Sequence, residues 1–227
     1  MGVGVDLYFW SLTESADASV LSPDEVERMN RFVFAKHQQA FLAARVGLRS
    51  VLGTMCDVDP AALVFTYGPQ GKPALPDGPS FNLSHAGDLA CLAIHPDMTL
   101  GADIEAFRQV EDGIAARFFS PAEHATLQAM SEDAKEPGFF RCWTRKEAVI
   151  KALGGGLSIP LDAFDVTLDG HAAELTRLDP TYGSARDWAL APFQVGPQMM
   201  GCVAAQTGGN PITLTVKSAP KTLHFSA

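Results

Sequence analysis

Three carboxylates are the side chains of this sequence best placed to do chemistry. Leu100-Gly101-Ala102-Asp103-Ile104-Glu105 sets Asp103 and Glu105 two residues apart. If the segment is extended, both point to the same side, with Cα atoms roughly 6.6 Å apart at about 3.3 Å per residue. Two anions so crowded are unfavourable unless a cation lies between them or one is protonated. Oxygen-only ligands of this kind suit Mg²⁺, which takes one or two carboxylates and shares the rest of its shell with water and substrate phosphates. The third carboxylate, Glu147, lies in Phe140-Arg141-Cys142-Trp143-Thr144-Arg145-Lys146-Glu147-Ala148-Val149-Ile150-Lys151-Ala152-Leu153. There Trp143, Glu147 and Lys151 fall on one helical stripe, and Cys142, Val149 and Leu153 on another. Taken singly, the first motif reads as an exposed strand end. Glu147 with Lys151 reads as a helix ion pair worth about 0.2–0.5 kcal/mol.

A basic stretch supplies the opposite charge. From Arg28 to Cys56 there is no Asp or Glu, while Arg28, Arg31, Lys36, Arg45 and Arg49 are all positive. Arg45 and Arg49 share a helix face beside the apolar Phe41, Ala44 and Leu48. Such arginines are either a solvated or acid-paired face or a phosphate site, since guanidinium binds phosphate in bidentate fashion. Further on, Tyr67-Gly68-Pro69-Gln70-Gly71-Lys72-Pro73 is a turn-rich loop with a lysine fixed between Gly71 and Pro73. Loops of this kind can turn backbone N–H groups and one ammonium toward a phosphate. Asn82, Ser84 and His85 follow where an apolar run stops.

Together these pieces match the needs of a pyrophosphate ester: a basic cradle, a divalent metal, a carboxylate to accept a hydroxyl proton, and a cation near the leaving phosphate. At an effective dielectric constant near 20 and about 4 Å, one opposite-charge contact is worth about 4 kcal/mol. Several such contacts outweigh the repulsion of an acidic protein.

The elements that must position these groups recur in order. Ser22-Pro23-Asp24-Glu25 and Ser120-Pro121-Ala122-Glu123 are both helix starts, with a serine N-cap, proline at the first helical position and a reciprocal glutamate. Each is followed by a helical stretch ending at Leu-Gly, at Leu52-Gly53 and Leu153-Gly154, and then by a proline, Pro60 or Pro160. Strand-like segments come next: Leu63–Thr66, Phe81–Ser84 and Leu89–Ile94 in one case, Phe164–Thr167, Trp188–Pro192 and Met200–Ala205 in the other. The pattern predicts an α+β pseudodimer, two similar halves each with a small, mainly antiparallel sheet and helices on one side. The halves are read as 1–101, the nucleotide cradle, and 102–206, the metal and catalytic helix. A C-terminal extension, 207–227, either adds an edge strand through Ile212, Leu214 and Val216 or stays without a partner. The cleft between the halves is the expected ligand site.

Composition bounds the reading. The chain has 227 residues, 47% hydrophobic and 19% charged, enough for a sizeable core in one domain or two small ones. A net charge of −9 argues against general adhesion to nucleic acid or an anionic membrane. Cys56, Cys91, Cys142 and Cys202 are far apart, as in a reduced protein. With no signal-peptide pattern at the N-terminus and no apolar run of the ~20 residues that span a bilayer, the expected setting is cytoplasmic.

The residues carry a family resemblance. Gly71-Lys72-Pro73, Phe81-Asn82-Leu83-Ser84-His85, Gly101-Ala102-Asp103-Ile104-Glu105 and Trp143-Thr144-Arg145-Lys146-Glu147-Ala148 with Lys151 resemble the ordered motif set of the surfactin-synthetase-type 4′-phosphopantetheinyl transferases. The similarity spans about residues 20–168 and includes Arg28 and Arg31 ahead of Phe32. It implies a pseudodimeric monomer with coenzyme A between its halves. The implied reaction moves the 4′-phosphopantetheine arm of coenzyme A to a serine hydroxyl of a carrier protein and releases adenosine 3′,5′-bisphosphate. By position, Arg28, Arg31, Gly71, Lys72, Asn82, Ser84, His85 and Asp103 would bind coenzyme A, and Asp103, Glu105 and Glu147 would hold Mg²⁺. Glu147 would activate the carrier serine, directly or through water, and Lys151 would neutralise the departing bisphosphate. Two positions depart from the pattern. Ala86 follows Ser84-His85 where relatives often carry a polar side chain, and Tyr67 stands where a basic residue often precedes the loop, a contact Arg45 or Arg49 would have to supply. Two rival readings share the residues: a Mg²⁺-dependent hydrolase of coenzyme A or a nucleotide pyrophosphate, and a non-catalytic module that binds coenzyme A or a carrier.

Overall fold

The computed structural model describes residues 2–111, 113–170 and 172–218. Its strands are β1 (Val3–Ser11), β2 (Thr66–Tyr67), β3 (Pro73–Ala74), β4 (Ser80–Ala86), β5 (Leu89–His95), β6 (Leu100–Ala106), β7 (Phe164–Val166), β8 (Leu175–Leu178), β9 (Trp188–Gln194), β10 (Met199–Gln206) and β11 (Ile212–Lys217). The α-helices are α1 (Pro23–Asn30), α2 (Ala35–Cys56), α3 (Ile114–Phe118), α4 (Pro121–Gln128) and α5 (Glu132–Leu153). One sheet runs β11-β1-β5-β4 and another β6-β10-β9, with two short hairpins, β2-β3 and β7-β8. All pairs are antiparallel except β1 with β11. The fold is α+β, helices combined with antiparallel sheets. The segment after residue 206 contributes the parallel edge strand β11, from Val3↔Ile212 to Tyr8↔Lys217.

Strand alternation divides the core into three. On β5, Ala90, Leu92 and Ile94 join Trp10, Leu48 and Leu52 under α2. On β10, Cys202 and Ala204 join Phe140, Val149 and Phe164 around α5. The other faces, Cys91 and Ala93 of β5 and Val203 and Ala205 of β10, meet in a third cluster with Val5, Leu7, Leu100, Ala102 and Ile104. Each sheet therefore carries a helix on one face and meets the other sheet across its second face, a layered solution to burying two-sided strands.

Both serine-initiated helix starts form. Ser22 and Ser120 cap α1 and α4 in reciprocal boxes with Glu25 and Glu123. The 22-residue helices α2 and α5 follow them. α5 ends as the sequence implies, with Gly154 in the left-handed region at φ 72°. α2 instead continues past Gly53 to Cys56, and Asp57 takes the left-handed position at φ 53°. Gly53 serves close packing there, because a Cβ would stand 2.7 Å from the Val58 carbonyl oxygen. The strand expected at Leu63–Thr66 shrinks to Thr66–Tyr67, since Pro60–Ala62 forms a 3-10 turn and the chain leaves it without a ladder partner until Thr66.

Candidate active site

The site lies where β4, the last strand of the first sheet, runs beside β6, the first strand of the second. No main-chain ladder joins them; side chains do. Asn82 Oδ1 accepts from the Ala102 N–H at 2.8 Å, and Ser84 Oγ accepts from the Ile104 N–H at 3.3 Å. Ser84 also donates to Asp103 Oδ1 at 3.0 Å. Helix α5 is laid directly on β6 at Gly101, where an added Cβ would lie 2.2 Å from the Ala148 carbonyl oxygen. Only glycine permits that approach, and it brings the helical stripe of Glu147 and Lys151 over the strand stripe of Asp103 and Glu105.

Lys151 completes the cluster. Its Nζ donates to Asp103 Oδ1 at 2.5 Å and to Ser84 Oγ at 3.0 Å. The ion pair expected within the helix, Glu147 with Lys151, is thus replaced by one across the helix–strand contact, because the buried Asp103 is the carboxylate Lys151 can reach. Burial raises the pKa of Asp103, with Lys151 acting in the opposite direction. Burial also raises that of Glu147, reinforced by the negative charge of Asp103 and, further down, of Glu105. Glu105 holds Arg108 through Oε2 at 2.6 Å. Desolvation and the Lys151 charge hold the His85 imidazole below its ordinary value.

The three carboxylates feel one another's charge, yet among the described residues no three acidic, histidine or cysteine side chains form a ready-made metal cage. Lys151 and Arg108 occupy one oxygen each of Asp103 and Glu105. Asp103 Oδ2 is buried with no hydrogen-bond partner. An unsatisfied buried carboxylate oxygen beside two further carboxylates suits a hard, oxygen-seeking cation.

A groove of about 310 Å³ opens on this cluster. It is lined by Gln70, Gly71, Lys72 and Pro73 from the hairpin loop, Asn82 and Leu83 from β4, Glu147, Ile150 and Lys151 from α5, and Gly154 and Gly156 beyond it. Gly71, at φ 77°, makes the loop's tight turn. A second hollow of about 400 Å³, lined by Gly68, Pro69, Thr99 and Leu153 among others, lies on the other side of Lys72 and Pro73.

Of the residues singled out in the sequence, Gly71, Lys72, Asn82, Ser84, Asp103, Glu147 and Lys151 meet at or beside this groove, with His85 and Glu105 coupled to it by charge. Arg28 in the last turn of α1 and Arg31 just past it do not line the groove: Arg28 lies over the Phe41 ring and Arg31 is paired with Glu27. Arg45 and Arg49 do not form a phosphate cradle. Both are buried on Glu25, with Arg49 Nε 2.6 Å from Oε2 and Arg45 Nε 2.6 Å from Oε1, and both lie over Phe65. Tyr67 receives Arg45 and donates to Asp24. Ala86 packs in the core between the sheets. Lys146 and Arg145, flanking Glu147, are structural: Lys146 reaches Glu123 and the Phe164 carbonyl, Arg145 the carbonyls of Thr167 and Asp169. Sequence reasoning missed Gly101 and the Gln70–Gly156 approach, although the small pair Gly101-Ala102 and the run Gly154-Gly155-Gly156 were signals for them.

Residues 99–193 match the family model described as the 4′-phosphopantetheinyl transferase superfamily, and residues 11–97 match that of the 4′-phosphopantetheinyl transferase N-terminal region. The 4′-phosphopantetheinyl transferase HetI of Nostoc sp. is 40% identical over 158 residues, 66% of each chain. The 4′-phosphopantetheinyl transferase Sfp of Bacillus subtilis is 36% identical over 159 residues, 68% of this chain and 70% of its own. The L-aminoadipate-semialdehyde dehydrogenase-phosphopantetheinyl transferase of Xenopus laevis is 29% identical over 181 residues, 71% of this chain and 58% of its own. With the two family matches covering adjacent stretches that meet at the β4–β6 groove, the chain belongs to the 4′-phosphopantetheinyl transferase superfamily and is a transferase.

Proposed function

We propose that this chain moves the 4′-phosphopantetheine group of coenzyme A to a serine hydroxyl of an acyl, polyketide or peptidyl carrier protein, releasing adenosine 3′,5′-bisphosphate. The observation that carries the reading is the groove lined by Glu147 and Lys151 between two sheet edges, with Asp103 buried beside it on the Lys151 ammonium. The serine oxygen attacks the phosphorus bearing the pantetheine arm, the bond to the bridging diphosphate oxygen breaks, and the serine proton must go to a base. Glu147 takes it, directly or through one water. Its raised pKa brings the carboxylate nearer neutrality, where a general base is most effective. Lys151 neutralises the charge gathering on the departing bisphosphate. Asn82 and Ser84 hold β4 against β6, and Gly71 and Lys72 form the loop wall beside which the nucleotide lies. Arg28 and Arg31, although they stand on Phe41 and Glu27 rather than in the groove wall, are assigned with His85 to the phosphates of coenzyme A.

The carboxylates fit a Mg²⁺ ion held by Asp103, Glu105 and Glu147; the buried free oxygen of Asp103 and the raised pKa values of Asp103 and Glu147 support this. Bound there, the ion would supply charge neutralisation for the diphosphate. The halves 1–101 and 102–206 each contribute one wall, so a monomer suffices. Among the described residues no helix is long and apolar enough to cross a membrane. The four cysteines are free thiols, which supports a reducing, cytoplasmic setting.

Mass spectrometry tests the reading. The chain, coenzyme A, Mg²⁺ and a panel of apo-carriers are incubated together. Gain of one phosphopantetheine by a carrier, lost with Glu147→Gln, is the expected result. Carrier-independent release of the bisphosphate would make the chain a hydrolase. Tight binding with no turnover would make it a binding module.

A further inference from the structure

We propose that Lys72 is a positioning residue for this transfer, clamping β6 to α5 and so setting where Lys151 meets Asp103, rather than a ligand of a phosphate. The inference rests on the reading above, in that Asp103, Glu147 and Lys151 are taken to do the chemistry.

Lys72 is presented by a stiff turn. Gly71 N–H donates to the Gly68 carbonyl at 2.8 Å, Gly68 N–H donates to the Lys72 carbonyl at 2.9 Å, and Pro73 fixes the next φ. From there the Lys72 ammonium reaches two main-chain carbonyls, Leu100 at 3.0 Å and Lys151 at 2.7 Å. Leu100 opens β6, the strand of Asp103. The Lys151 carbonyl lies in the last turn of α5, where carbonyls have no N–H further along the helix to accept from. A cation there also complements the negative end of the helix dipole. These two bonds straddle the contact at Gly101 where strand and helix backbones touch. An ammonium has three N–H groups, so at most one is left for the groove. Burial lowers its pKa to about 8, and both hydrogen-bond partners of its ammonium are main-chain carbonyls.

A clamp and a phosphate ligand differ in what they change. Misplacing reacting groups by about 1 Å costs on the order of 100-fold in rate. In the full chain, Lys72→Met is expected to lower kcat for carrier loading at least ~10-fold while the calorimetric Kd for coenzyme A stays within about threefold. Lys72→Arg does not restore kcat, because the planar fork does not fit between two facing carbonyls. In a Lys151→Ala background Lys72→Met costs less than about twofold more, since the group it positions is gone. Lys72→Gln, a smaller change, serves the same comparisons if the Met variant does not fold. A Kd raised tenfold or more at unchanged kcat, recovered by Lys72→Arg, would identify a phosphate ligand and overturn the inference, leaving the transferase reading intact. Fully multiplicative loss in the double variant overturns it as well. A parent chain inert toward every carrier removes the reading and the inference together.

Discussion

Two seams in this molecule set a parallel strand beside the first strand of a sheet, and they are closed differently. At β1–β11 a continuous ladder runs from Val3↔Ile212 to Tyr8↔Lys217. At β6–β4 the ladder is absent and Asn82 and Ser84 bridge the edges. The strands that open the two seams share a pattern, Gly4-Val5-Asp6-Leu7 and Gly101-Ala102-Asp103-Ile104. Each aspartate meets a lysine. Asp6 meets Lys217 at 3.7 Å with both side chains partly exposed, and Asp103 meets Lys151 at 2.5 Å with the carboxylate buried. The closed ladder satisfies its own edges and leaves only a partly solvated ion pair. The unzipped seam leaves side chains to satisfy the edges, and the space between them is the groove. The helices differ in the same sense. Matching Leu52-Gly53 to Leu153-Gly154 sets Val46 and Ser50, both buried, against Glu147 and Lys151, which line the groove.

The sharpest break of this comparison is catalytic. Asp103→Ala and Lys151→Ala are each expected to slow carrier loading at least ~100-fold, whereas Asp6→Ala and Lys217→Ala change it less than about twofold, an exposed pair being worth about 0–1 kcal/mol. Initial rates read by the carrier's mass gain decide it; equal losses at the two seams would mean the open seam has no special role. Next in size is the buried Glu25, which receives both Arg45 and Arg49. Glu25→Gln strands two buried guanidinium groups and should cost about 3–5 kcal/mol in urea unfolding. Glu27→Gln, breaking an exposed pair with Arg31 at the end of the same helix, should cost under about 0.5 kcal/mol. A small cost at Glu25 would show that the arginines are free to leave for a phosphate after all.

What the sequence reveals about this fold divides along the same line. The capping serines, the apolar runs that become β4, β5, β9 and β10, and the shared side of Asp103 and Glu105 follow from local spacing, and the structure contains each of them. Charge partners do not follow from spacing. Arg45 and Arg49 read equally as a phosphate face or an acid-paired one, and only the turn of α1 back onto α2 brings Glu25 between them. Lys151 pairs with Asp103 rather than Glu147 because Gly101 lets the helix down onto β6, a contact between residues far apart in the chain. The parallel pairing of β11 with β1, the chain's last described strand with its first, is likewise invisible to any local window.

That same contact makes the next variant. A Cβ at Gly101 would press on the Ala148 carbonyl and the Ala152 amide, whereas one at Gly4, on the opposite seam, meets nothing within 4 Å. Gly101→Ala should cost about 1–3 kcal/mol, as overpacking does, and should slow transfer by moving α5. Gly4→Ala should leave transfer unchanged. Thermal melting and loading rates on the pair test whether the helix–strand approach or the mere presence of the residues sets the activity.

The smallest effect concerns the charge Glu147 carries without a metal. Its folded pKa is raised by burial and by Asp103, so the fold favours the protonated form, and the ionised form is a destabilising presence at neutral pH. The cost is complete above the folded pKa, shrinks as pH falls through it, and is gone below the ordinary carboxylate range. Metal-free Glu147→Gln should therefore melt above the parent at neutral pH, with the two curves converging under acid. Asp103→Asn, by removing the neighbouring anion, should bring the Glu147 titration down toward its usual value, as carboxyl ¹³C shifts would report. If Glu147→Gln melts below the parent at neutral pH, the carboxylate is already satisfied by protein groups. The groove then has less need of a cation than its free Asp103 oxygen implies.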